Sequence, residues 1–202
     1  MNIIGFKTGL VYEFPNPEKD ENTPYPSVRQ KFTKHFSYDV VAFGSRRKKI
    51  IPFGDSKVAS PETYPVYEMY VAAMYNLNYR LRAGVSVDFV YDGSADAYTE
   101  DYIVGTPQLF YRSEDSHQRA LGFSARLEYV MPVFDINFGF GTNVFYKGND
   151  MKCTYQSLAL KIKATRNVFF HIGYNLKNFS DPNYLMIGLG YRFHHKMPRL
   201  NR

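Results

Sequence analysis

The stretch Leu121-Gly122-Phe123-Ser124-Ala125-Arg126-Leu127-Glu128-Tyr129-Val130-Met131 decides the fold. Its odd positions are Leu, Phe, Ala, Leu, Tyr and Met. Its even positions are Gly, Ser, Arg, Glu and Val. Successive side chains of a β-strand point to opposite faces. The segment is therefore a strand with one apolar face and one mostly small or charged face. The next segment repeats the pattern. Phe134, Ile136, Phe138, Phe140, Thr142, Val144 and Tyr146 alternate with Asp135, Asn137, Gly139, Gly141 and Asn143.

The pattern extends outward in both directions. Leu158, Leu160 and Ile162 alternate with Ala159, Lys161 and Lys163. Val168, Phe170, Ile172, Tyr174 and Leu176 alternate with His171, Gly173, Asn175 and Lys177. Leu185 to Phe193 sets five apolar residues against Met186, Gly188, Gly190 and Arg192. Upstream, strands are expected over Ile4–Phe14, Tyr38–Ile51, Tyr67–Leu77 and Tyr79–Tyr91, the second less cleanly alternating. The count is about nine strands of about 10–14 residues, near the length a tilted membrane strand needs. Strands of soluble sandwiches are shorter, about 5–6 residues. Polar faces of Gly, Ser, Asn, Arg and Asp suit a wet barrel interior. The expectation is an all-β, antiparallel up-and-down transmembrane β-barrel filling residues 1–202 as one domain, with 194–202 a polar tail. A soluble β-sandwich is the alternative.

Composition agrees. The chain has 18 Tyr and 17 Phe but no Trp. Aromatic girdles flank the lipid band of outer-membrane barrels. Mean hydropathy is negative, and no run approaches the ~18 apolar residues of a membrane helix. Both fit a wall in which only alternate residues face lipid. The net charge of +6 points to anionic partners. Basic residues are dispersed on alternate strand positions and no nucleic-acid-binding motif is present. The expected partner is therefore outer-membrane lipid and not nucleic acid. A single Cys153 excludes an internal disulfide and a multi-cysteine zinc site. No cofactor is expected, and the oligomeric state is open.

The connections alternate in size. Tight turns fall near Asn78, at Pro132 and around Arg166–Asn167. Longer links run over Pro52–Tyr64, Gly93–Gln118, Lys147–Lys152 and Phe179–Asn183. Short periplasmic turns and longer outer loops are the outer-membrane pattern, which places the protein in the bacterial outer membrane. Pro15–His35 is long yet falls on the turn side. Nine is odd, whereas single-chain bacterial barrels have even strand numbers, and an open edge in lipid is costly. Met1 leads straight into strand-like sequence, with no secretory leader. Either the count is off by one or strands are missing at the N-terminus, and the expectation is that their return would close the barrel.

Several stretches in order carry a family resemblance. They are Phe36-Ser37-Tyr38-Asp39 running into Gly44-Ser45-Arg46-Arg47-Lys48-Lys49, Tyr64-Pro65-Val66-Tyr67, Phe89-Val90-Tyr91-Asp92-Gly93-Ser94, and Ile187-Gly188-Leu189-Gly190-Tyr191-Arg192-Phe193. The set resembles outer-membrane lipid A deacylases, the acyloxyacyl hydrolases of Bacteroidetes type. The resemblance implies hydrolysis of an ester-linked acyl chain on lipid A. It also implies a His-x-Ser-Asn signature with a histidine base, a serine nucleophile and an acid that orients the histidine. In longer relatives that signature precedes a strand similar to Asn2–Tyr12, so this chain is expected to begin just after it. Whether it is an active enzyme or a non-catalytic structural or lipopolysaccharide-binding barrel stays open on the sequence.

Candidate site residues follow. His35-Phe36-Ser37 has the His-x-Ser spacing, and residues i and i+2 of a strand share a face. However, Tyr38 stands where the signature has Asn, and the alternative is a loop histidine before a strand-opening serine. Arg46, Arg47, Lys48 and Lys49 fall near the outer end of their strand, where cations can pair with lipid A phosphates. The alternative is a solvated, snorkelling cluster. Asp88, Asp92, Asp96, Glu100 and Asp101 gather near the longest loop without an EF-hand spacing, and an acidic surface loop is expected. His171, His194 and His195 lack the spacing of a metal site. No metal is expected.

Overall fold

A computed structural model describes residues 32–53, 56–99, 109–179 and 181–195. Eight strands run β1 His35–Phe53, β2 Ser56–Asn76, β3 Leu81–Asp92, β4 Arg119–Val130, β5 Phe134–Tyr146, β6 Thr154–Lys163, β7 Val168–Lys177 and β8 Asp181–His195. Each pairs antiparallel with its sequence neighbour, and β1 pairs with β8. The barrel is closed.

Two expectations change. The described residues hold eight strands, not nine, and the expected strand Ile4–Phe14 lies outside them. Closure needs no added strand, because β1 from Phe36 to Gly44 lies directly against β8 from His195 to Ile187. The second change concerns Pro52–Tyr64, expected as a loop. The ladder instead continues into it through Ile50↔Ala59, Ile51↔Val58 and Phe53↔Ser56. The two strands form a tall hairpin. Beyond Gly44 and Val66 it leaves its barrel neighbours and continues as a two-stranded ribbon. Prolines are tolerated there because a ribbon edge needs no ladder donor. The imperfect alternation of Tyr38–Ile51 corresponds to a register shift between Lys48 and Ile50. Strand β8 runs through His195, two residues into the stretch expected as a tail.

Short turns close one end. Asn78 Oδ1 accepts the backbone N–H groups of Arg80 and Leu81, both at 2.8 Å. Met131 N donates to Phe134 O at 3.0 Å, and Ala164 N to Val168 O at 3.0 Å. The tall hairpin and the longer links lie at the opposite end. Longer connections face outward in outer-membrane barrels, so that end is the outer one.

Burial is inverted relative to a soluble protein. Tyr67 is 58% exposed, Phe138 51% and Leu189 53%, while Asp39, Glu128 and Asn137 are at 0%. Eight strands enclose a lumen just wide enough to be filled by side chains. Here the filling is partly apolar, from Val41, Phe43, Tyr70, Met74, Phe169 and Met186, and partly ionic. Lys161 Nζ donates to Asp39 at 2.9 Å and to Glu128 at 2.6 Å. Arg192 donates to Asp39 through two nitrogens at 2.7 Å, to Glu128 at 2.7 Å and to Asp135 at 3.1 Å. Arg82 adds a bond to Glu128 at 2.7 Å. Further out, Arg126 pairs with Asp88 at 2.9 Å and lies 3.5 Å from the ring centre of Tyr70. Outward-facing aromatics form two girdles. Tyr38, Tyr129, Tyr191 and Phe193 lie toward the inner end, and Tyr67, Phe89, Phe145 and Phe179 toward the outer. Apolar side chains outside and ion pairs inside require a surrounding of lipid.

Candidate functional site

The outer mouth of the barrel is where chemistry-bearing residues converge. Alternation splits the run Arg46–Lys49 into two pairs. Arg47 and Lys49 point to the lumen side. Arg47 pairs with Asp92 at 2.5 Å, donates to Ser94 Oγ at 2.7 Å and bonds Asn183. Lys49 pairs with Asp150. Arg46 and Lys48 face outward, exposed, and have no ion pair among the described residues. Arg46 lies opposite Pro65, two pairs beyond Gly44↔Tyr67. Tyr67 stacks on Tyr91 at 6.1 Å between ring centres. Arg46 therefore stands immediately above the outer girdle, and Lys48 about 7 Å further out.

The loops above the mouth are knitted together. Asp96, at φ 51°, lies in the left-handed region that Asp tolerates. Its carboxylate accepts the backbone N–H groups of Asn149 and Asp150, both at 3.0 Å, and lies 3.3 Å from His117 Nδ1. Asp150 returns the contact by accepting Asp96 N at 2.9 Å. Burial raises the Asp150 pKa, but the Lys49 ammonium, the Asp96 N–H and Lys177 outweigh it and hold the carboxyl below its ordinary value. Beneath this layer a cavity of about 30 Å³ touches Arg47, Glu68, Asp92, Tyr155, Lys177 and Asn183. That is room for about one water and none for a sugar or an acyl chain.

His35 and Ser37 fall at the opposite, inner end. Ser37 Oγ accepts from Asn76 Nδ2 at 3.1 Å and faces Met74 O at 3.5 Å. His35 Nδ1 faces Thr33 O at 2.9 Å. No hydrogen bond joins the two among the described residues. The acidic candidates disperse. Asp88 accepts from Tyr155 at 2.5 Å and from Arg126, Asp92 pairs with Arg47, and Asp96 binds the loops. Glu100 and Asp101 lie outside the described residues. No group of three metal-ligating side chains gathers among the described residues. His171 is buried in the lumen, stacked on Phe43 at 5.2 Å. His194 is exposed, with its ring 6.2 Å from that of His35.

Residues 36–195 match the family model described as acyloxyacyl hydrolase, C-terminal domain. The chain belongs to this family. A search of curated proteins finds no match. Similar solved structures include Ail of Yersinia pestis, at 13% identity over 80% of this chain and 100% of that one, with a TM-score of 0.43. Neisserial surface protein A is 12% identical over 81% and 100%, with a TM-score of 0.36. A de novo designed transmembrane β-barrel is 12% identical over 79% and 96%, with a TM-score of 0.43.

This acyloxyacyl hydrolase-family chain is thus an outer-membrane barrel whose matched region coincides with its closed wall. Among the described residues its histidine–carboxylate pair is His117–Asp96, which sequence reasoning missed. The partners are 21 residues apart across a loop, and no local spacing signals the contact. Among the described residues no serine hydrogen-bonds His117.

Proposed function

We propose that this barrel engages lipid A in the outer leaflet through its phosphates. The supporting observation is the pair Arg46 and Lys48, outward and unneutralised just above the Tyr67–Tyr91 girdle. Lipid phosphates lie at that depth, and Arg recognises them through paired donors. Arg47 and Lys49 do not take part, because acids on the lumen side already neutralise them. The test is retention of bisphosphorylated lipid A by the protein in phospholipid nanodiscs. Arg46→Ala with Lys48→Ala should weaken it about tenfold, and added salt should weaken it further. Equal retention of lipid A and its dephosphorylated form would overturn the reading.

Cleavage of an ester-linked acyl chain on that lipid is the second reading. Family membership and His117–Asp96 favour it, because a carboxylate-oriented imidazole on the lipid A side is the arrangement of a general base. Mass spectrometry of lipid A after incubation with the protein decides it. Release of one fatty acid that His117→Ala abolishes supports hydrolysis. Intact lipid A, or release that His117→Ala leaves unchanged, removes this role.

A further inference from the structure

The outward column of β1 reads, from the outer end inward, Lys48, Arg46, Gly44, Ala42. Two cations are followed by two of the smallest side chains. The neighbouring strands carry large residues at the same levels. Gly44 lies between Tyr67 and Ile187, and Ala42 between Met69 and Leu189. Phe89 extends the β2 side, opposite Met69. A strand of small residues between two walls of large ones is a groove. It holds about 630 Å³, is lined by Ala42, Gly44, Tyr67, Met69, Ile187 and Leu189 among others, and runs down from Arg46 toward the middle of the bilayer.

Two other furrows, of about 680 and 750 Å³, open on the lipid face. In neither is a recessed outward residue followed on its own strand by an outward cation. Ala125, which lines both, is flanked by Phe123 and Leu127. The β1 groove alone among these combines an apolar trough with unneutralised positive charge at its headgroup end. Its depth also fits. An apolar trough in the outer leaflet meets hydrocarbon, and the cations above it meet the lipid's anionic head.

We infer that the β1 groove is an acyl-chain subsite for lipid A, in which one chain lies over Gly44 and Ala42 while a phosphate of the same molecule pairs with Arg46 and Lys48. This rests on the phosphate reading above and adds where the chain lies. It explains why position 44 is glycine although the fold does not demand it. A Cβ there would meet Tyr67 Cδ1 at an ordinary 3.6 Å. The residue is small for what lies over it.

The test uses the full chain in nanodiscs with lipid A bearing a diazirine on its acyl chains. Photo-cross-links are mapped by mass spectrometry. They should concentrate on Ala42, Met69, Ile187 and Leu189, at least fivefold over outward residues of β4 and β5 such as Leu127 and Phe138. Gly44→Leu, which fills the trough, should move them away from β1 and weaken lipid A retention severalfold. Cross-links spread evenly around the wall, or a Gly44→Leu protein that cross-links as the parent does, would overturn the subsite. If Arg46→Ala with Lys48→Ala still lowers retention in that case, the phosphate reading survives alone. If retention has no phosphate dependence at all, both readings fall together.

Discussion

Asp96 and Asp150 hold each other's main chains. The Asp96 carboxylate accepts Asp150 N at 3.0 Å, and the Asp150 carboxylate accepts Asp96 N at 2.9 Å. The first residue follows β3 and the second precedes β6, so the exchange ties two outer loops across the mouth. Lys49 of the tall hairpin joins by pairing with Asp150, and Gly148 leaves the space. A Cβ there would come within 2.3 Å of His117 O and 2.8 Å of Asp96 Oδ2.

This exchange predicts how the loops respond to pH. The folded state lowers the pKa of Asp150. A lowered carboxylate contributes stability above its unfolded pKa and loses it as pH falls through the folded value. Protease resistance of residues 109–118 and 147–153 should therefore be flat from about pH 5 to 8 and fall only below about pH 4. Asp150→Asn should remove most of that acid step and expose both loops at neutral pH while the barrel stays folded. A loop that loosens already near pH 6 would contradict this.

The lumen network predicts an asymmetric response. Lys161 is 1% exposed and contacts both Asp39 and Glu128. Lys161→Met leaves two carboxylates facing each other without that charge, and removing one partner of a buried pair costs about 3–5 kcal/mol. Urea unfolding in detergent micelles should show a loss of that order. Adding Glu128→Gln should recover part of it, because the second change removes the excess negative charge left among Asp39, Glu128 and Asp135 opposite Arg82 and Arg192. If the double variant is less stable than the single by the full cost of a second broken pair, the two residues act independently and the network description is wrong.

How much of this was legible depends on the range of the interaction. The alternation through Leu121–Met131 and Phe134–Tyr146 is local, and it marks both faces of β4 and those of β5 as far as Val144, where a register shift turns Phe145 outward and sets Tyr146 against a buried cluster. The basic run is also local, so Arg46–Lys49 stands out in the sequence. Its division is not, because Asp92, Asn183 and Asp150 are brought in from 45, 136 and 101 residues away. Barrel closure is the extreme case. The pairing of β1 with β8 joins the two ends of the described chain, and no periodicity within either strand says whether they meet. The groove over Gly44 needs three strands in register, β8, β1 and β2, before small residues become a trough.

Two glycines on adjacent strands make opposite predictions. Gly188 faces the lumen at the closing seam, paired with Phe43. A Cβ at 188 would lie 2.1 Å from Ala42 O and 2.5 Å from Phe43 Cα. Those atoms are main chain and cannot swing aside. Gly188→Ala should cost at least the ~1–3 kcal/mol typical of overpacking and lower the yield of heat-modifiable barrel on unheated gels. Gly44→Ala on β1 should change stability by less than about 0.5 kcal/mol, since it meets only ordinary contact with Tyr67. Equal losses from the two substitutions would mean that the seam is not packed as described.

Depth in the membrane makes the last prediction. Val87 faces outward between Val71 of β2 and Phe123 of β4, midway between the girdles marked by Tyr129 and Tyr91. A charge there must enter hydrocarbon, at a cost of about 2–4 kcal/mol near the midplane of a barrel wall. Arg119, at the outer end of β4 and opposite Tyr91, is already a cation at the interface, where the same scale falls to about 0–1 kcal/mol. Val87→Arg should therefore destabilise the folded barrel in phospholipid vesicles by roughly that larger amount, and Arg119→Ala by little. Measured in the same vesicles by reversible denaturant unfolding, a Val87→Arg cost no larger than that of Arg119→Ala would place residue 87 outside the hydrocarbon and shift the membrane band described for this wall.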